Sequence, residues 1–411
     1  MIAVAEEPRA VVSATRVGIA GLVLAGFSYW VVLPPVAWRN PLGPMIIAGL
    51  GAAAGVVAAR MGAVRVGWSA IVVGVLGIGF AALATRSSVG NLEDVFTWST
   101  LIAAMLVFAT PLTYAAIGGM VTERSGVVNI GLEGMMLMGA FWGIYGADLT
   151  DSWVLGVLIG MLAGGLMAVI LAFFSIHLRA DQIVGGTAIN FLALGITGYF
   201  FVELYSGENI PAGVPRIPDV KLAFLEHVPP HTDRLGLGSF LYKAVGHLNL
   251  MIWIALLVVV LSYVVIFRTP LGLRIRSVGE HPRAADTVGI SVYGIRYGCV
   301  ITSGLLAAAG GAFLSVGYVG TFNENMTSGR GFIALAAMIF GNWRPFGALA
   351  AALLFGFTDA IALRMQVYND SLPGIDVLIK TLPYVAVLIA VAGVIGRSTP
   401  PAADGKPYVK Q

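Results

Sequence analysis

Arg268-Thr-Pro-Leu-Gly-Leu-Arg274-Ile-Arg276-Ser-Val-Gly279-Glu280-His281-Pro282-Arg283-Ala284-Ala285-Asp-Thr-Val-Gly289-Ile290 is a basic, polar stretch between two long apolar runs, 248–267 and 292–317. Counting on to Arg296, it carries five arginines. The ends of a short helix are written into its middle. Pro282 suits a first helical position, Ala284 and Ala285 favour helix, and Gly289 suits the residue just past the end. A helix of about two turns, roughly 10 Å, is far too short to cross a bilayer. It therefore sits at a membrane face and has something there to dock against.

The flanking apolar runs recur along nearly the whole chain. Of 411 residues, 58% are hydrophobic and 11% charged, and the mean hydropathy is +0.89. Spans are read at 15–33, 44–59, 66–84, 95–121, 130–149, 153–176, 183–205, 248–267, 292–317, 331–341, 346–363 and 379–396. One such run could be a buried soluble core, but ten or more cannot. Only closed backbone hydrogen bonding survives in lipid, so the fold class is all-α: a polytopic membrane helical bundle of about 10–12 transmembrane segments. The 53 glycines fit, because small residues let membrane helices approach closely. The 331–341 run is too short to cross alone and reads as half of a broken helix, with 341–347 as the break. The first span has no small-x-small cleavage site after it and is kept as an anchor. Cys299 is the only cysteine, which excludes a disulfide framework and a thiolate metal cluster.

Basic residues set the orientation. With the 268–296 loop cytoplasmic, alternation puts 15 Lys and Arg inside and 9 outside, and four of those nine lie in the long 206–247 loop. Both termini are then cytoplasmic. The proline-rich 206–247 segment is either a solvated connector or a landing surface for an external solute-binding protein. The end of the chain, 398–411, reads as a disordered cytoplasmic tail.

Three motifs resemble those of a known family. Residues 110–136, containing Thr122-Glu-Arg-Ser-Gly-Val-Val-Asn129-Ile-Gly-Leu-Glu133-Gly, look like the first signature of ABC importer permeases of the branched-chain amino acid and simple-sugar (type II-like) kind, in their nucleoside branch. Residues 277–290 resemble that branch's ATPase-coupling helix, and 331–347 a third signature. The match covers about 95–397, so the domains are read as a 1–94 extension with two or three helices, a 95–397 permease core and the tail. One departure is His281, where related sequences usually carry asparagine; the helix start is then weaker, or is capped by Glu280 or Ser277. The resemblance implies a bacterial cytoplasmic (inner) membrane, multi-pass location. It also implies a cytoplasmic ABC ATPase that binds ATP-Mg, a second permease subunit forming a homo- or heterodimer, and an extracytoplasmic solute-binding lipoprotein. Besides these come membrane lipid and no nucleic acid. The coupling residues would be Gly279, Glu280, His281, Pro282, Arg283, Ala284, Ala285 and Gly289, with small Ala285 against the ATPase. The sequence agrees independently on one point: no G-x-x-x-x-G-K-[ST] occurs, so no cofactor is expected on this chain and any ATP chemistry belongs to a partner.

Polar groups inside spans are expensive and usually face a bundle interior or a cavity. The substrate-path candidates are Asn129, Glu133, Thr187, Asn190 and Asp359. Asn129 and Glu133 share a helix face and either line the path or cap that helix and meet its positive end. Thr187 and Asn190 offer hydroxyl and amide groups to a ribose or base edge, or join helices to one another. Phe191, Tyr199, Phe200 and Phe201 could stack a base, or serve as packing and interfacial anchors. A secondary ion-coupled transporter would need carboxylates at mid-membrane, and these lie toward span ends. A membrane enzyme would need clustered His, Asp or Glu; the five histidines are scattered and no metal site is expected. A nucleoside permease leads, with a ribose-type sugar permease as the alternative.

Overall fold

The computed structural model describes residues 13–32, 40–86, 97–207, 213–223, 237–365 and 398–410. The expected span at 379–396 lies outside them. The described helices are α1 Ala14–Val32, α2 Leu42–Arg60, α3 Val64–Arg86, α4 Trp98–Glu123, α5 Leu132–Thr150, α6 Trp153–Ala172, α7 Gln182–Tyr205, α8 Leu237–Val245, α9 Leu250–Arg268, α10 Pro270–Glu280, α11 Pro282–Thr287, α12 Val292–Ala312, α13 Arg330–Phe340 and α14 Pro345–Met365. Helices α6 and α12 each widen into a π-helical last turn, Phe173–His177 and Phe313–Val319. Two three-residue strands, β1 Asp219–Lys221 and β2 His247–Asn249, pair antiparallel and are the one departure from all-α among the described residues. Among the same residues nine helices are long and apolar enough to cross a membrane.

The chain divides into two compact units. One holds, among the described residues, α1–α3, the start of α4, and residues 222–223 and 237–246 with α8. The sequence-level boundary at residue 94 is therefore not a simple cut, because this unit recruits a segment assigned to the permease core. Its helices pack backbone to backbone: a Cβ on Gly21 would lie 2.8 Å from the Gly51 carbonyl, and one on Gly51 2.7 Å from that of Gly21. Without side chains there, α1 and α2 touch at van der Waals distance, which is how membrane helices gain packing where lipid offers no hydrophobic drive.

The other unit holds, among the described residues, Ala103–Lys221, 247–365 and the tail. Helix α5 packs against α6, α12 and α7, and 14 of its 19 residues are buried. Apolar faces of α9 (Leu257, Val260, Leu261, Val264) are exposed, as lipid-facing surfaces must be.

Level within this unit can be read from cross-helix bonds. Asn129 Nδ2 donates to Ser303 Oγ at 2.9 Å, and Ser303 lies near the middle of the Val292–Val319 span. Ser315 Oγ donates to the Ala140 carbonyl at 2.6 Å, so α5 and α12 run parallel. Helix α5 therefore begins about halfway up its neighbour, and residues 125–131 reach that level from Arg124 as non-helical backbone. Pro111 sits inside α4 without ending it.

The predicted break in the short span is present. Helix α13 ends at Phe340, and Asn342 and Trp343 take left-handed conformations, φ 54° and 51°, before α14 starts at Pro345.

Candidate functional site

The basic loop folds into two helices rather than one. Thr269 caps α10, its hydroxyl accepting from the Gly272 amide at 3.2 Å, with Pro270 in the first position. His281 closes α10 and opens α11: its Nδ1 accepts from the Ala284 amide at 3.2 Å. The expected substitute caps are occupied elsewhere, since Ser277 Oγ donates to the Arg274 carbonyl and Glu280 accepts from the Ala402 amide. Gly289 ends the turn with φ +83°, where a Cβ would be strained.

Helix α11 has two distinct faces. Arg283, Ala284, Thr287 and Val288 point outward, Val288 with 75% of its surface exposed. Ala285 points the other way. It is 3% exposed and packs with Val278, Val292 and Tyr408. The expectation that Ala285 meets a partner is thus corrected; its small size serves packing within the chain, and Ala284 is its outward neighbour.

The expected disordered tail is a second correction. The Ala403 amide donates to the Gly279 carbonyl at 2.8 Å, the Ala402 amide to Glu280 Oε2 at 3.2 Å, and Tyr408 OH to Asp286 Oδ2 at 2.8 Å. The Tyr408 ring sits edge-on to Tyr293 at 5.6 Å. Arg296, 1% exposed, donates to Ser125 O and Lys406 O. Thr399 N donates to Asn342 Oδ1 at 3.0 Å, so the tail also ties down the helix break. Composition misses this because most of the contacts are made by backbone amides and carbonyls. Beneath the tail, Trp343 Nε1 donates to Glu123 Oε2 at 2.6 Å, and Arg124 gives two bonds to the Trp343 carbonyl. Burial pushes the Asp404 carboxyl up to about 6, opposed by its hydrogen bonds to Glu123 and the Gly405 amide and by Arg296.

A second site lies at mid-span and corrects the expectation that the carboxylates lie toward span ends: α5 begins halfway up its neighbour, with Glu133 in its first turn. Glu133, in the first turn of α5, accepts from Thr327 Oγ1 at 2.6 Å and from the amides of Gly329 and Gly331 at 2.8 and 2.6 Å. It thereby caps the start of α13 rather than its own helix, and anchors the 327–331 end of the segment that precedes it. A Cβ on Gly331 would lie 2.5 Å from Glu133 Cα, so only glycine admits this approach. Nor is Asn129 an N-cap. Gly131 holds that position without a side-chain bond, while Asn129 binds Ser303 and leaves a buried Oδ1 without a protein partner. Asn190 is a helix-to-helix staple: its Oδ1 accepts from Gly134 N and its Nδ2 donates to the Ile130 carbonyl. Thr187 is exposed but spends its hydroxyl on Ile183 O. Asp359 is half-buried on α14, close enough to Arg330 for their charges to interact. Phe201 packs edge-on against Phe322, and Phe200 against Trp142. Phe191 and Tyr199 stay exposed, at 70% and 64%.

The family model described as "Branched-chain amino acid transport system / permease component" matches residues 101–392. The chain belongs to this permease family. It is 42% identical over 322 residues to the guanosine ABC transporter permease protein NupQ of Bacillus subtilis, covering 76% of this chain and 97% of that one. The nucleoside ABC transporter permease protein NupC of Lactococcus lactis is 36% identical over 76% of this chain and 98% of its own length. TsgC13 of Haloferax volcanii, provisionally named a glucose ABC transporter permease protein, is 35% identical over 65% of this chain and 78% of its own. No solved structure matches.

Helix α11, with its braced inner face, lies at one end of the long spans, and polar, irregular backbone lies within them. Sequence reasoning found α11 and Glu133 but missed the 320–331 segment. Its one available signal was a run of polar residues, Asn323-Glu324-Asn325, directly before a span too short to cross alone.

Proposed function

We propose that this ABC importer permease carries nucleosides across the membrane, driven by ATP-Mg hydrolysis in a cytoplasmic ATPase that docks on the outward face of α11. In this reading the 268–296 loop and both termini face the cytoplasm, a second permease subunit completes the path, and an extracytoplasmic lipoprotein delivers the solute. The observation that carries the solute class is the 42% identity to a permease named for guanosine, with 97% of that relative covered. The outward face of α11 supports the docking role: Val288 and Arg283 are both exposed on it and offer an apolar anchor and a charge.

The test is uptake by the assembled transporter in ATP-loaded proteoliposomes. Labelled guanosine should accumulate, and unlabelled nucleosides should compete while glucose and ribose should not. A second reading, simple-sugar transport, follows the provisional glucose name of TsgC13. Competition by glucose but not by nucleosides would establish it instead.

A further inference from the structure

The 320–331 segment combines two features that hydrocarbon does not tolerate. Its backbone is non-helical as far as Gly329, and it lies alongside spans rather than beyond them. Phe322 packs edge-on against Phe141 of α5 at 5.1 Å and against Phe201 of α7 at 5.3 Å, and Thr327 reaches Glu133. Between those anchors, Asn323, Glu324 and Asn325 are exposed. Irregular backbone at membrane depth persists only where protein buries it or where it lines a water-filled cavity. Charged side chains there face the same restriction. These three side chains are not buried by their own chain, so the face they form is wet.

Glu324 stands out among them. A Cβ on Gly198 would lie 3.3 Å from its Oε1, so the carboxylate lies flush on α7 at a position with no side chain in the way. Gly198 is well inside the Gln182–Tyr205 span, two turns above Asn190. Among the described residues no side chain donates to this carboxylate. Arg330, the nearby cation of the segment, gives its Nη1 to the carbonyls of Met326 and Thr327. The positioning is rigid at both ends, through the Phe322 aromatic cluster and through the three bonds to Glu133. A fixed carboxylate with free lone pairs beside a wet face is an acceptor pair awaiting donors.

We propose that Glu324 contacts the solute in the translocation path, its carboxylate accepting hydrogen bonds from two adjacent donors on a neutral solute. On a nucleoside such a pair is the 2′- and 3′-hydroxyls of ribose or the N1–H and 2-amino group of guanine. This deepens the nucleoside reading and rests on it for the identity of the donors. Carboxylate oxygens spaced for bidentate acceptance match either pair, and a charged acceptor strengthens both bonds.

Two measurements on the assembled transporter test this. In the first, Glu324→Cys is treated with a membrane-impermeant methanethiosulfonate reagent. The natural chain offers a clean background, because its one thiol, Cys299, is buried. The expected result is modification that guanosine slows. No modification, or modification at a rate indifferent to solute, overturns the assignment. In the second, uptake of guanosine, inosine (no 2-amino group) and 2′,3′-dideoxyguanosine (no diol) is compared in wild type and Glu324→Gln. Wild type should favour guanosine over whichever analogue lacks the contacted pair. Glu324→Gln should slow guanosine about tenfold, the loss of one charge-assisted hydrogen bond, and leave that analogue nearly unchanged. The selectivity ratio then collapses, which a folding defect would not produce. Equal slowing of all three solutes, or no change, overturns the proposal. If wild type took up no nucleoside, and glucose rather than guanosine slowed modification of Glu324→Cys, the nucleoside reading would fall and Glu324 would remain in the path.

Discussion

Replacing Glu133 by glutamine leaves the shape of the mid-span junction intact and removes one of its two acceptor oxygens. Both sets of donors then lose a charged partner, and either Gly331 N or the pair formed by Thr327 and Gly329 also loses its acceptor in a buried site. A hydrogen bond to a charged group is worth about 1.5–3 kcal/mol, and an orphaned buried donor costs a similar amount. Glu133→Gln should therefore lower stability by about 2–3 kcal/mol, read as a clear drop in the thermal midpoint of the detergent-purified protein. An unchanged midpoint would mean that the 320–331 segment is held by other contacts. His281→Asn should be nearly silent, stabilising by at most about 1 kcal/mol, because asparagine supplies the same N-cap acceptor in a better form. Ala285→Asp has a different expected outcome from that of an interface residue. A carboxylate placed under Tyr408, among Val278 and Val292, is buried without a partner. It should loosen the tail, so that protease cuts within 398–410 in the purified chain even with no ATPase present. Ala284→Asp, on the exposed face, should leave the tail protected and weaken only ATPase association.

At the scale of elements, the tail, α10–α11 and the break between α13 and α14 form one assembly. Truncation after Ser398 removes the bonds to Gly279, Glu280, Asp286 and Arg296, and should reduce co-purification of the ATPase while leaving membrane insertion unaffected. Retention of full ATPase association by the truncated chain would show that α11 holds its shape unaided. The tail should also respond to pH. The Asp404 carboxyl titrates near 6 when docked, above its usual 3.8. The docked state thus binds more protons than the released one between those values, and by linkage docking weakens as pH rises from about 4 to 6. Protease sensitivity of 398–410 should therefore increase across that range, and Asp404→Asn should flatten the dependence there.

These elements also show what a sequence makes legible. The spans could be read because a run of about 20 apolar residues has few other uses. Helix α11 could be read because Pro282, the Ala284 and Ala285 pair, and Gly289 each favour the same local structure. Its facing could not, because six residues are too few to show an amphipathic period. The tail's order was hidden for another reason: its low-complexity Pro-Pro-Ala-Ala run binds mainly through main chain, which every residue has. Glu133 was legible as a costly polar group inside a span, but its partners lie nearly 200 residues away, beyond any local pattern. The polar run Asn323-Glu324-Asn325 looks like an ordinary connector until the fold lays Glu324 against α7.

At the scale of the whole molecule, nine long apolar helices among the described residues and membership in the permease family make this a multi-pass transport subunit. The proposed orientation predicts that Lys221→Cys, exposed at the end of β1, is labelled by impermeant reagent from outside intact cells, whereas Ala284→Cys is not. Reversed labelling would place α11 on the wrong face for an ATPase.

The central claim is that the outward face of α11 receives the ATPase, and one cross-link tests it directly. Ala284→Cys, in a chain whose natural thiol is buried, is treated with a short thiol-to-amine reagent in the assembled transporter. The predicted result is a single adduct with the mass of permease plus ATPase and loss of uptake in proportion to the adduct formed. Efficient modification of Ala284→Cys with no ATPase adduct and undiminished uptake would contradict it.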